Sequence, residues 1–291
     1  MSGTPAAERP LATRISVGRM ACWLLDAGLQ RLDGGAMFGV VPKPLWERRI
    51  APDEQNRVPL ALRCLLVEHP DGLVLVDTGI GNKGSARFRD SYGVENAGEV
   101  GPTRLEDAIL AAGFRPGDVR WVVNTHLHFD HAGGNTVRRP DGCVEPAFPG
   151  ASYVLQRGEL DFAAHPNERT RASYLPGSFE PIAASARIRL IDGATELLPG
   201  VLCLPTPGHV PFHQSVLVSD GGETACFLGD LVPTSAHLQP AWIMGHDLEP
   251  LVTLATKKTI LASAASEDWL LVFPHDPAVA CARVGPGGDT T

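Results

Sequence analysis

One run of residues limits this chain more than any other: Asn124-Thr125-His126-Leu127-His128-Phe129-Asp130-His131-Ala132-Gly133-Gly134. Three imidazoles and a carboxylate fall between positions 126 and 131. Trp121-Val122-Val123, just upstream, reads as a buried strand, and Gly133-Gly134 reads as a turn. The ligand-type side chains therefore sit on a loop at the end of a strand. Their spacing is not the i, i+4 of a metal-binding helix. His126 and His128 are two apart, so in extended chain they share a face; Asp130 continues that alternation and His131 breaks it. A loop can divide the four between two ions, His126 and His128 toward one, Asp130 and His131 toward the other. Imidazole suits zinc or iron, and a carboxylate also suits manganese. The competing reading is a His-rich surface turn without metal. It must put three mutually repelling imidazoles where a turn has no use for them.

The run resembles the HxHxDH motif of the metallo-β-lactamase superfamily of metallohydrolases. Further elements of that family follow in order along the chain. Thr206-Pro207-Gly208-His209 matches its TPGH element, Asp230 after Gly229 matches its bridging carboxylate, and His275 follows the last expected strand. By itself, an Asp at a strand end such as Asp230 is usually a turn residue; its order after His209 favours the metal. The resemblance implies His126, His128 and His209 around one ion, Asp130, His131 and His275 around a second, and Asp230 shared. It also implies that Asp77, in Asp77-Thr78-Gly79, supports a metal-ligating histidine; read from spacing alone, an Asp that only caps the turn is the favoured reading. His213 is left as structural. The implied fold is an α+β, four-layer αββα sandwich of two β-rich halves with the metal site at one edge. The resemblance spans roughly Leu60 to His275.

Composition narrows the remaining choices. At 291 residues, with 44% apolar and 20% charged residues, the chain can bury a large core without staples. A formal charge of -8 disfavours a nucleic-acid-binding face. The six cysteines are scattered without a CxxC pair, and Cys22, Cys64, Cys203 and Cys226 lie in apolar runs, so buried free thiols in a reducing, cytoplasmic setting are expected. The first ten residues lack an apolar signal-peptide core. No apolar run approaches a membrane span, so no membrane partner is expected.

Read in order, residues 1–12 are expected to be a disordered tail, 13–283 one domain, and 284–291 a flexible tail. Strands are expected within Arg14–Leu25 and at Leu60–Glu68, Leu73–Val76, Val119–Val123, Tyr153–Leu155, Ile188–Ile191, Glu196–Leu198, Val201–Leu204, Val216–Val218, Ala225–Leu228 and Trp269–Phe273. Helices are expected after Thr103, whose spacing to Glu106 is a capping-box signature, at Glu159–Ala164, and at Leu248–Ala264. The segment 32–58 reads as a long loop folded over something, and 162–182 as a candidate lid. Met37, Phe38 and Trp46 are candidates to wall a pocket, with packing on the core an equal alternative; Tyr174, Phe179 and His237 are further candidates to line it, His237 reading more readily as a hydrogen-bonded structural residue.

Two divalent ions about 3.5–4 Å apart can hold a bridging water, and zinc lowers the pKa of bound water to roughly 7. Zinc is the default for both sites, with iron or manganese an alternative at one. The expected reaction is attack of a metal-bridging hydroxide on an ester or lactone carbonyl, with Asp130 passing a proton to the leaving group and Asp230 holding both ions. Within the family, Asp230 argues against a true β-lactamase and His128 against the flavo-diiron proteins. The pattern is most similar to the lactonase and organophosphate-hydrolase branch. An N-acyl homoserine lactone is the specific expectation, a phosphotriester the alternative, and a metal-binding protein without turnover the alternative of another class. The expected partner is a small substrate with an apolar portion, and the apolar N-terminal segment could serve a homodimer.

Overall fold

Apolar runs become strands almost everywhere the sequence has them. The computed structural model describes residues 9–285. In chain order its strands are β1 (Ala12–Val17), β2 (Met20–Asp33), β3 (Arg57–Val67), β4 (Leu73–Val76), β5 (Val119–Val123), β6 (Thr136–Arg138), β7 (Val144–Pro146), β8 (Ser152–Gln156), β9 (Ile188–Ile191), β10 (Thr195–Leu198), β11 (Val201–Pro205), β12 (Gln214–Asp220), β13 (Glu223–Phe227), β14 (Leu270–Val272) and β15 (Cys281–Ala282). The helices are α1 (Gly34–Phe38), α2 (Lys43–Trp46), α3 (Ala86–Ser91), α4 (Arg104–Ala111), α5 (Phe129–Ala132), α6 (Arg157–Ala164), α7 (Glu180–Ala184) and α8 (Pro250–Ser266).

The strands form a seven-stranded sheet, ordered β1-β2-β3-β4-β5-β8-β9, and a six-stranded sheet, ordered β10 to β15; β6 and β7 pair separately. In the first sheet β1 to β4 are antiparallel, and β4, β5, β8 and β9 are parallel. In the second only β13 and β14 are parallel. Parallel neighbours need a crossover, which α4 supplies between β4 and β5, and α8 between β13 and β14.

Both faces of each sheet are covered, which is why so many strands are apolar on both sides. Leu24, Leu65, Val76 and Val154 of the first sheet meet Val201, Val216, Phe227 and Val272 of the second. The other face of the first sheet packs on Leu105, Ala108 and Ile109 of α4, with Ile182 of α7. The other face of the second packs on Ile260 and Ala264 of α8. This is the expected αββα sandwich. Strand directions then put the C-terminal ends of β4 and β5 on one edge of the first sheet, and those of β11, β13 and β14 on one edge of the second. The loops carrying the chemistry leave from these ends.

Several local expectations need revision. The first strand is a hairpin, β1 and β2, turning at Gly18, whose φ of 55° favours glycine. Arg9 is no part of a free tail: it donates to Asp26 Oδ1 at 2.9 Å and to the Gly28 carbonyl at 3.0 Å. Residues 1–8 and 286–291, the rest of the two expected tails, lie outside the described residues, while Val284 is buried in the α8 layer. The segment 32–58 holds α1 and α2. Asp33 caps α1 by accepting from Ala36 N–H, and Met37, Phe38, Trp46 and Ile50 form an apolar cluster with Ala236 and Met244. Thr103 precedes α4 as expected but makes no side-chain cap. Instead Asp107 accepts from the Glu99 and Gly101 amides. Segment 162–182 is anchored by buried Tyr174, Ser178 and Phe179. Cys22, Cys64, Cys203 and Cys226 are free and buried. No helix among the described residues is long and apolar enough to cross a membrane.

Candidate metal centre

The chain leaves β5 extended through His126 and His128, then turns helical at α5, with His128 as its N-cap residue. That change of backbone resolves the spacing puzzle: Asp130 and His131 swing to a different side from the two preceding imidazoles. His209 arrives on a tight turn whose Gly208 has a φ of 137° and backs directly onto Thr253. Asp230 follows β13 and His275 follows β14.

Two groups of ligand atoms result, each within 4.8 Å: His126, His128, His209 and Asp230, and beside them Asp130, His131 and His275. All seven residues are buried or nearly so. Asp230 lies between the groups. Its Oδ1 is 3.2 Å from His131 Nε2 and 3.1 Å from His275 Nε2. Its Oδ2 is 3.3 Å from His209 Nε2 and 4.0 Å from His126 Nε2.

The outer nitrogens have partners that fix which inner nitrogens are free. His131 Nδ1 donates to Asp77 Oδ2 at 2.8 Å, His209 Nδ1 to Asp247 Oδ1 at 2.9 Å, and His275 Nδ1 to the Ala61 carbonyl at 2.8 Å. With the proton held on Nδ1, each Nε2 presents a lone pair to the cluster. Two such lone pairs, on His275 and His131, face one another at 3.0 Å, and His209 Nε2 faces His128 Nδ1 at 3.1 Å. His126 Nε2 and Asp230 Oδ1 are buried without a hydrogen-bond partner. Lone pairs turned on one another are repulsive unless something positive lies between them. Zinc ligands at about 2.0–2.1 Å in a tetrahedron lie roughly 3.3 Å apart, close to the separations here. The donor set fits two cations.

The charges of the cluster are strongly biased. Burial and then the neighbouring imidazoles push His126 and His128 well below the usual histidine range, leaving their lone pairs free. Burial would lower His131 as well, but Asp230, Asp130 and Asp77 outweigh it and hold its proton affinity well above the usual range. For His209, Asp230 and Asp247 likewise prevail over burial. Asp230 would be raised by burial, yet His131, His275 and His209 keep it well below an ordinary carboxyl. The site therefore holds a carboxylate that attracts positive charge from both sides.

The sequence model of the metallo-beta-lactamase superfamily matches residues 58–275. The chain belongs to this superfamily. Among curated relatives of the superfamily chain, an N-acyl homoserine lactonase from a Bacillus species is 33% identical over 164 residues, 55% of this chain and 58% of that one. This match spans less than two thirds of that relative's length. A probable metallo-hydrolase from Mycobacterium bovis is 31% identical over 290 positions, covering 83% of this chain and 85% of the relative. Among solved structures, a probable metal-dependent hydrolase from Staphylococcus aureus superposes with a TM-score of 0.87 at 28% identity, covering 94% of this chain and 96% of that one.

In this metallo-β-lactamase fold the cluster forms the floor of a partly open cleft of about 200 Å³. His128, Asp130, His209, Asp230 and His275 line the floor. Leu32, Met37, Leu60, Met244 and Leu248 supply an apolar wall, and Tyr92, Arg169 and His246 stand among the more polar lining residues. None of Phe38, Trp46, Tyr174, Phe179 and His237 is on that wall, which corrects the expected pocket. Phe38 stacks between Trp46 at 5.1 Å and His237 at 4.8 Å, so these rings form the core beneath the wall. His237 is used up by Thr234 Oγ1 at 2.7 Å and the Met37 carbonyl at 2.9 Å. Phe179 joins the core under α7. Tyr174 packs edge-on against His128 at 4.8 Å and donates its hydroxyl to Glu159 Oε1 at 3.0 Å. His213 is structural as read: its Nε2 accepts from Asp230 N–H at 3.0 Å.

Sequence reading missed Asp247 and Glu159. Asp247 follows an apolar, proline-broken segment with no motif spacing to His209. Glu159 looks like an ordinary first-turn helix acid. Its buried Oε1 accepts from Leu127 N–H at 2.8 Å, tying down the backbone between His126 and His128.

Proposed function

We propose that this protein is a dinuclear-metal hydrolase of esters or lactones, with N-acyl homoserine lactones as the substrate class. The observation that carries the reading is the division of Asp230, with Oδ1 turned to His131 and His275 and Oδ2 to His209 and His126. One carboxylate serving two triads is a device for holding two cations side by side. His126, His128 and His209 would hold one cation, Asp130, His131 and His275 the other, and zinc suits this nitrogen-rich set. When bound, the cations supply a water of lowered pKa and draw charge from the scissile carbonyl oxygen.

The chain's own residues do the rest. Asp77 and Asp247 keep the Nδ1 protons of His131 and His209 in place, so that both Nε2 lone pairs stay aimed inward. Met37, Leu60 and Met244 present apolar surface for an acyl chain. Asp130, which lines the cleft, would carry a proton to the leaving alkoxide oxygen as the acyl C–O bond breaks. The similarity to named N-acyl homoserine lactonases favours a lactone over a phosphotriester.

The test is a substrate panel (N-acyl homoserine lactone, aryl ester, aryl phosphotriester and thioester) run on zinc-loaded, chelated and reloaded protein. Lactone hydrolysis that disappears with chelation and returns with zinc is expected. Hydrolysis indifferent to chelation, or faster turnover of the phosphotriester, would overturn the assignment.

A further inference from the structure

Gln30 of β2 lies outside the superfamily-matched span 58–275, yet it reaches the floor of the cleft. A bulge between Asp26 and Leu29 shifts the register of β2 against β3, with Gly28 at a φ of 119°. Beyond the bulge, Gln30 and Leu32 share a face, and Leu32 lines the cleft. Gln30 pairs across the strands with Leu60, itself a cleft residue. On the other side, Leu29 and Arg31 bond to the Glu95 and Tyr92 carbonyls at 2.9 and 2.7 Å. The backbone that carries Gln30 is therefore gripped from both sides.

The side chain is fully buried. Its Nε2 donates to Asp130 Oδ2 at 2.5 Å, and its Oε1 has no hydrogen-bond partner. The amide orientation is fixed by chemistry, since the reverse would set a carbonyl oxygen against a carboxylate oxygen. Burying an unpartnered acceptor carries a desolvation cost that methionine or leucine would avoid. The fold alone gives no reason for glutamine here; the contact with Asp130 does.

We infer that Gln30 is a positioning residue for Asp130: its amide locks the rotation of that carboxylate and so sets the affinity of the second cation. This inference rests on the dinuclear reading above. It makes the N-terminal strand part of the site, although no ligand comes from it.

The experiment titrates zinc into metal-free wild type, Gln30→Met, Gln30→Asn, Asp130→Asn and the Gln30→Met/Asp130→Asn pair against a chelator of known affinity. Thermal unfolding of each metal-free protein is recorded alongside. Wild type takes two zinc ions. Gln30→Met unfolds within a few degrees of wild type and keeps one ion at full affinity, but binds the second about 10–100-fold more weakly. Gln30→Asn, one carbon too short to reach Asp130, shows the same loss. The double variant binds zinc no more weakly than Asp130→Asn alone, because Gln30 acts only through Asp130. Unchanged affinities in Gln30→Met, equal weakening of both ions, or additive losses in the double variant would overturn the inference. A wild type that binds fewer than two ions would instead bring down the dinuclear reading beneath it.

Discussion

The two carboxylates behind the cluster, Asp77 and Asp247, give the sharpest prediction, because each accepts directly from a histidine of a different triad, although Asp77 also touches His126 indirectly through the Thr125 hydroxyl. Asp77 is buried and accepts three hydrogen bonds: from Thr125 N–H, from Thr125 Oγ1 and from His131 Nδ1, each at 2.8 Å. In Asp77→Asn the remaining oxygen can keep the backbone bond, and the threonine hydroxyl can rotate to accept from the new amide. The imidazole has no such escape. It must either face an N–H with its own N–H or move its proton to Nε2, the atom meant for the cation. A hydrogen bond to a charged group contributes about 1.5–3 kcal/mol, so losing this one costs about 2 kcal/mol, roughly thirtyfold in affinity for one zinc. Asp247→Asn should do the same through His209, but to the other ion. Competition with a chelator reads this out as two binding steps. Each single variant weakens one step, and the double variant weakens both. If the double variant weakened only one step, the two aspartates would serve the same ion and the division of the cluster drawn here would be wrong.

Glu159 predicts a pH dependence. Burial pushes its carboxyl up to about 7 from an ordinary 4.5, against the Leu127 amide and Tyr174 hydroxyl that favour the charged form. Between those values the folded chain binds the extra proton, so stability falls as pH rises from 4.5 to 7 and levels off above, by on the order of 3 kcal/mol at most. Zinc-free Glu159→Gln should lose that slope in its thermal midpoint while keeping the acceptor for Leu127 N–H; an unchanged slope would assign the pH response elsewhere. Phe38→Ala empties the stack between Trp46 and His237 and should cost about 3–5 kcal/mol, lowering the midpoint on the order of 10 °C. Because Phe38 lies under Met37 rather than on the cleft, the lost activity should appear in KM before kcat.

What could be read without the structure follows from how local each signal is. The strands near the site are legible because both sheet faces are covered there: β4 is an unbroken apolar run, and β5 and β13 end in one, Trp121-Val122-Val123 and Ala225-Cys226-Phe227. His126, His128, Asp130 and His131 announce themselves by crowding, and Pro207-Gly208 marks the turn before His209. Asp247 carries no such mark: only the return of the chain after Met244 brings it to His209. The pocket expectation failed for a related reason. Phe38 and Trp46 sit in a segment too apolar for a linker, which the sequence reads equally as pocket wall or as core; both rings belong to the core beneath. Met37, one residue away and a candidate for the same wall, is the one of the three that lines the cleft.

The failure and the successes meet at β2. A strand read by period alone keeps one face for its whole length, which would send Gln30 and Leu25 to opposite fates with no hint of the bulge between them. The bulge at Gly28 resets the alternation, and only after it can Gln30 and Leu32 turn together to the cleft. The same two-residue irregularity thus lets one strand serve the inter-sheet core with Cys22 and Leu24 and then the site with Gln30. Filling that bulge should therefore damage cation binding more than it damages the sandwich, since β1, β3 and the first half of β2 hold their register without it.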